Sequence, residues 1–199
     1  LAIVDEDVLQ RFAVDTIEMD ERCCGYLRGT VGVNAVRSAA PQEALGAMGP
    51  HDVIALWHVI EHLPDPFALL RAASANLAPG GLLVIATPNP DAWQFRVMGA
   101  DWPHVDAPRH LYLLPASMLT ERAAAAGLSR IHFTTSDSDA KSWNRFGWQR
   151  LLLNRVRGKW ANRAAVAAGY ALSLAAAPFE AGDPRGSAYT IVFRKGRPA

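Results

Sequence analysis

Short apolar runs alternate with stretches of helical period along most of this chain. Residues 1–4, 15–19, 31–36, 52–56, 82–87, 131–135 and 188–194 read as strands. The run Val53-Ile54-Ala55-Leu56 and the run Leu82 to Ala86 are apolar without interruption. Such runs predict strands buried on both faces, as in a parallel sheet. Residues 66–77 carry Phe67, Leu69, Leu70, Ala73 and Leu77 near the 3.6 period, which predicts a helix. Pro64 and Pro66 sit at its start, where a missing N–H costs little. Pro79-Gly80-Gly81 closes it. Residues 7–12, 20–27 and 115–126 read as further helices, the last closed by Gly127. Residues 141–179 are largely helical, rich in Trp and Arg early and in Ala late. Strand and helix in alternation predict an α/β protein with a doubly wound sheet.

In such a sheet the ligand crevice lies beyond the carboxyl ends of the strands. That rule gathers Glu18, the segment after Val36, residues 57–62 and residues 87–89 around one site. The stretch LWHVIEHLPDP, residues 56–66, places two histidines and a glutamate within five residues there. A second polar and aromatic cluster, DWPHVDAPRHLYLL, supplies Asp101, Trp102, His104, Arg109, His110 and Tyr112 as candidates to border a pocket.

Composition narrows the classes. The chain has 199 residues, half of them hydrophobic, which suits one domain with a substantial core. The net charge of +1 gives no global field for nucleic acid. The two cysteines, Cys23 and Cys24, are adjacent and make no disulfide framework. Together with acids in place of a basic leader, this implies a cytoplasmic setting. The basic, aromatic first half of residues 141–180 reads as an amphipathic lid, with peripheral membrane contact as the lesser alternative.

Three ordered blocks carry a family resemblance: DVIALWHVIEHLPDP, LLRAASANLAPGGLLVIATPN and DAPRHLYLLPASMLTERAAAAGLSRIHF. They resemble the class I S-adenosylmethionine-dependent methyltransferases. The subgroup includes the ubiquinone-pathway O-methyltransferases and many bacterial methyltransferase domains. The resemblance runs from Ile17 to Phe133. It implies a single Rossmann-like domain over residues 1–199, with a mostly parallel seven-stranded sheet whose last strand is antiparallel. The final hairpin would pair residues 131–135 with 188–194, leaving residues 141–180 as a helical insertion over the site. The implied function is methyl transfer from S-adenosylmethionine to a small-molecule acceptor, with a hydroxyl as one candidate. A catalytically silent Rossmann-like binding protein is the alternative. An NAD-dependent oxidoreductase is the weaker one, because neither a glycine fingerprint nor a Tyr-Lys pair is visible.

The resemblance also assigns roles. Glu18, at a strand end, would accept the cofactor's ribose hydroxyls. Ala39 and Ala40 fall where the adenine sits. Trp57 and His58 would flank the methionine end of the cofactor. His58 and His110 are the candidate general bases. In some relatives an ExxEH turn with a later His binds a divalent metal. Here His58 replaces the first Glu, leaving His58, Glu61, His62 and His110 as the conceivable set. The expectation is nevertheless a strand end and helix start without a metal centre, with these side chains scattered. One departure stands out: LAIVDEDVLQRF has no glycine where the family places its Gly-rich cofactor loop. Either a segment is left out of the chain as it stands, or cofactor binding has been lost.

Overall fold

A computed structural model describes residues 11–197, so the strand read at residues 1–4, most of the helix at 7–12 and the point of the absent Gly-rich loop lie outside the described residues. The chain divides into two compact units, meeting at Pro50 and His51.

In the first unit β1 (Asp15–Glu18) pairs in parallel with β2 (Asn34–Arg37), Glu18 opposite Arg37. Helix α1 (Glu21–Tyr26) starts where the Asp20 carboxylate accepts from the Arg22 and Cys23 backbone N–H groups. That is N-capping by a short acid. The helical path continues through Leu27–Val31 and stops at Gly32, whose φ of 78° is the left-handed region glycine tolerates. This stop explains why the strand expected from residue 31 begins only at Asn34. Helix α2 (Pro41–Gly46) follows β2, with Pro41 at its first position.

The second unit holds a four-stranded sheet in the order β3-β4-β6-β5. Its strands are β3 (His51–Trp57), β4 (Leu77–Pro88), β5 (Leu128–Thr134) and β6 (Ala188–Lys195). β3 and β4 are adjacent and parallel, as their apolar runs predict. β6 runs antiparallel to both β4 and β5, so the expected final hairpin forms. β4 starts five residues earlier than its apolar run, because Leu77 already pairs with His51 ahead of an irregularity. Gly81 belongs to that irregularity: a Cβ there would stand 2.9 Å from the Ala78 carbonyl and 3.0 Å from that of Asp52. The described residues thus contain six strands in two sheets rather than the expected seven in one.

The expectation that β3 is central and fully buried needs correction. Within its sheet it is an edge strand. Ile54 and Leu56 are buried, but Val53 is 54% and Trp57 45% exposed. An unbroken apolar run marks residues suited to a strand, while burial of both faces depends on what packs there.

Helices α3 (Pro66–Asn76) and α5 (Ala116–Ala125) pack on each other and over the sheet. Asp65 caps α3, accepting from the Ala68 N–H at 2.8 Å. Leu69, Leu70, Ala73, Leu119 and Ala123 are all essentially inaccessible. Burial of each leucine stabilises the fold by about 1.5–3 kcal/mol. Between β5 and β6 rise α6 (Ser138–Leu153) and α7 (Lys159–Glu180), the helical insertion read from the sequence. They pack closely: a Cβ on Gly169 of α7 would stand 2.6 Å from Gln149 Cα of α6.

A buried polar chain ties this insertion to α4 (Trp93–Met98). Glu180 Oε1 accepts from Gln94 Nε2 at 2.7 Å and from Trp148 Nε1 at 2.8 Å. Gln94 Oε1 accepts from Trp102 Nε1 at 3.2 Å. Gly147 of α6 leaves room for the Gln94 amide. No helix among the described residues is long and apolar enough to cross a membrane.

Burial pushes the Glu180 carboxyl above its usual range, against the pull of the Gln94 and Trp148 donors. Glu180→Gln keeps an oxygen for both donors and removes the buried charge. Its urea stability at pH 8 is expected within about 1 kcal/mol of the parent or above it. Glu180→Ala strands two buried donors and is expected to lose about 2–3 kcal/mol.

Candidate active site

The site grows from the end of β3. After Trp57 the chain turns sharply: His58 has φ of 50°, a conformation unfavourable for a residue with a Cβ. Its N–H still donates to the Ala86 carbonyl at 2.9 Å, holding the turn beside β4. The helical turn Ile60–His62 follows and places Glu61 fully inside the protein.

The imidazole of His58 lies between two carboxylates. Nδ1 is 3.3 Å from Glu61 Oε1, and Nε2 is 3.0 Å from Asp139 Oδ2. Glu61 Oε2 accepts from Thr87 Oγ1 at 3.0 Å. Trp143 of α6 packs on the His58 ring, centroids 4.8 Å apart. Burial alone would lower the pKa of His58. The hydrogen bonds to Asp139 and Glu61 outweigh burial and raise it to about 9. For Glu61, burial pulls upward, but the His58 contact wins and its carboxyl lies below the usual range. His58 is therefore an imidazolium at neutral pH that donates to both neighbours. Both of its ring nitrogens are taken up by these carboxylates, so neither is open to a substrate proton in this arrangement.

Two further histidines meet on the other side of Glu61. His62 Nδ1 donates to the Arg109 carbonyl at 2.9 Å. His110 Nδ1 donates to the His104 carbonyl at 2.6 Å. Carbonyl partners fix the tautomers when the rings are neutral, leaving each Nε2 as an acceptor. The loop is drawn in by the Leu111 and Tyr112 N–H groups, which both donate to the Glu61 carbonyl. One ligand atom from each of Glu61, His62 and His110 lies within 4.8 Å of the others. The expected scatter of these side chains is corrected by this convergence, with His58 outside the set and bridging Glu61 to Asp139. The 3-10 turn sets Glu61 beside His62, and the backbone bonds to Glu61 bring His110 to them.

These groups line a cavity of about 680 Å³ with Trp102, His104, Trp143, Phe146 and Arg150. Pro88, the last residue of β4, also lines it, so it lies beyond the carboxyl ends of β3 and β4. Asp101 and Arg109 line it too, paired with Arg155 and Asp106 respectively. Tyr112 is not in the wall; its hydroxyl donates to the Pro64 carbonyl. Burial lowers the pKa of His104 to about 4, so it is a neutral wall residue.

In the first unit Glu18 ends β1, and its Oε1 accepts from the Met19 and Asp20 N–H groups at 2.7 and 3.0 Å. Ala39 and Ala40 follow the neighbouring strand end, where the Ala40 N–H meets Ser38 Oγ at 3.0 Å. The three candidate cofactor contacts of this unit thus share the carboxyl end of its sheet.

Comparison with known families now decides the assignment. The model of the methyltransferase domain family matches residues 6–132. The chain belongs to this family, among the class I S-adenosylmethionine-dependent methyltransferases. A ubiquinone biosynthesis O-methyltransferase of Bordetella pertussis is 35% identical over 105 residues, 49% of this chain and 44% of that protein. The chain therefore spans about half the length of the relatives it matches. Two solved methyltransferases share the fold. A SAM-dependent methyltransferase from Archaeoglobus fulgidus superposes with TM-score 0.55 at 18% identity, covering 91% of this chain and 75% of its own. Phosphoethanolamine N-methyltransferase 2 of Haemonchus contortus, solved with S-adenosyl-L-methionine, gives 0.57 at 14%, covering 96% and 46%.

Within this methyltransferase domain, sequence reading missed Asp139. Asp139 is separated from His58 by 81 positions, and nothing in local spacing links them. Thr87 was visible as the polar end of an apolar strand, though its partner Glu61 was not.

The His58 shift has a sign that can be tested. Its folded pKa is raised, so its contribution is complete below about pH 6.5 and is lost as pH rises through about 9. Unfolding free energies from urea titrations are expected to fall between pH 6.5 and 9.5 by an amount on the order of 2–3 kcal/mol. Asp139→Asn is expected to flatten that fall substantially, with little change above pH 9.5.

Proposed function

We propose that this domain transfers the methyl group of S-adenosylmethionine to a hydroxyl of a small-molecule acceptor bound in the His110 cavity. The observation that carries the reading is the His110 ring in the wall of a cavity beyond the ends of β3 and β4, its Nδ1 held on the His104 carbonyl so that Nε2 is left for a substrate. When bound, S-adenosylmethionine supplies a methyl group already activated by its sulfonium. In the first unit, Glu18 would hold the ribose hydroxyls, and backbone beside Ala39 and Ala40 would meet the adenine. In the second unit, Trp57 and His58 would be the residues toward the methionine end. Trp102, Trp143 and Phe146 hold the acceptor and exclude water. His110 Nε2 takes the hydroxyl proton as the oxygen becomes the nucleophile. His58 is a positioning residue: it fixes Glu61 and Asp139, and through them the cavity wall. The relatives' activity as O-methyltransferases supports oxygen as the acceptor atom.

A second reading is favoured by the convergence of Glu61, His62 and His110. Their chemistry fits a divalent cation: a buried carboxylate and two imidazoles whose Nδ1–H groups are tied to backbone carbonyls, the usual outer-shell support of a metal ligand. A cation held there would orient the acceptor oxygen and lower its pKa. His110 would then act as a ligand rather than as a base.

The test begins with cofactor binding. Titration calorimetry with S-adenosylhomocysteine is expected to show one site, weakened at least tenfold, roughly 1.4 kcal/mol, by Glu18→Ala. Absence of binding would return the chain to a silent, partner-binding role. With catechol as a probe acceptor, His110→Ala is expected to lower turnover by about 10²–10⁴. Activity that survives exhaustive chelation supports the base. Activity lost with chelator and restored by a divalent ion supports the cation.

A further inference from the structure

Helix α7 presents an unusual outer surface. Ala165, Gly169, Ala176 and Glu180 are its buried positions. The positions between them face outward, and residues 164–179 contain no charged side chain. Val166, Tyr170, Leu172, Leu174 and Phe179 are between 40% and 60% exposed, and Trp160 at the helix start is 76% exposed. Val166, Tyr170 and Leu174 are spaced by four and share one side of the helix, and an exposed apolar stripe of this kind marks something that binds it.

The charge around it points to what that is. Residues 141–179 hold seven basic side chains and no acidic one, while the whole chain carries only +1. The remainder of the protein is therefore at −6, and the cation excess is confined to the insertion. Among the described residues only Arg155 of these seven makes an ion pair, with Asp101. Arg157 and Lys159 immediately precede Trp160, and Arg163 lies over its ring at 5.2 Å. The flanking acids face inward: Asp139 binds His58, and Glu180 binds Gln94 and Trp148.

We propose that α7 docks on an anionic lipid bilayer, lying in the interface with Val166, Tyr170 and Leu174 in the acyl boundary and Arg157, Lys159 and Arg163 against headgroups. A basic helix start beside an exposed Trp, followed by an uncharged aliphatic face, meets the two requirements of interfacial binding: apolar insertion and attraction to negative lipid. A nucleic acid would match the cations but leave the aliphatic face uncovered. A second copy would set the same basic segments near each other, against their charge. Since no described helix is apolar enough to cross a bilayer, the helix lies on the surface.

The test is sedimentation of the full chain with vesicles of phosphatidylcholine containing phosphatidylglycerol, against phosphatidylcholine alone. Binding is expected only with the anionic vesicles, and it should weaken as salt rises. Leu174→Glu is expected to abolish it. Arg157→Ala with Lys159→Ala is expected to weaken it about tenfold or more, from the attraction of each basic residue to the surface. Both changes are at exposed positions, and circular dichroism checks that the variants remain folded. A Trp160→Phe comparison should assign part of the vesicle-induced fluorescence blue shift to that residue. No binding to anionic vesicles, or binding indifferent to Leu174→Glu, overturns the proposal. So does a concentration-dependent dimer in light scattering that Leu174→Glu dissociates.

Discussion

The second unit depends on a charge held out of water: the His58 imidazolium between Glu61 and Asp139. The Glu61 carboxylate alone at that depth would be expensive to keep ionised. Together with Thr87 the three side chains form a short chain of charge-assisted hydrogen bonds, stronger than neutral ones. The chain crosses four places in the sequence: the end of β3, the following turn, the end of β4 and the first turn of α6. One buried ion cluster therefore closes the cavity floor and pins the insertion to the sheet. The unfavourable φ of His58 is tolerated because these bonds over-determine it.

The same cluster separates two histidine roles that the sequence presents side by side. His58 and His62 are four residues apart, yet one is bound by two acids and the other by a backbone carbonyl. The first is driven to keep its proton. The second, like His110, turns a nitrogen to the cavity. Such a split is the general way in which one cluster serves both structure and chemistry.

Legibility followed range. Local signals worked: the apolar runs marked β3, β4 and β6, Pro64 and Pro66 marked the start of α3, and the insertion was visible as helix. One start was misplaced, since a helical extension runs to Val31, ends at Gly32 and so delays β2. What failed was non-local. Burial of β3 depends on neighbours that its own residues do not encode. The His58–Asp139 contact and the approach of His110 to Glu61 arise from chain returning over the sheet. Family resemblance named the turn as important, but the replacement of a glutamate by His58 concealed its partner until Asp139 was in view.

The place of the insertion has a consequence for how such a protein can change. β5 and β6 are neighbours in one antiparallel ladder, with Thr134 opposite Thr190. Residues 135–187 therefore leave and return at points fixed by the sheet itself. The entropy of closing such an excursion grows only logarithmically with its length. The hairpin can thus carry a long or a short helical module on the same register. Exchange of that module would alter which molecules reach the histidines, and where the protein resides, while the strands beneath keep their pairing. Acceptor choice and location would then evolve as one transplantable part.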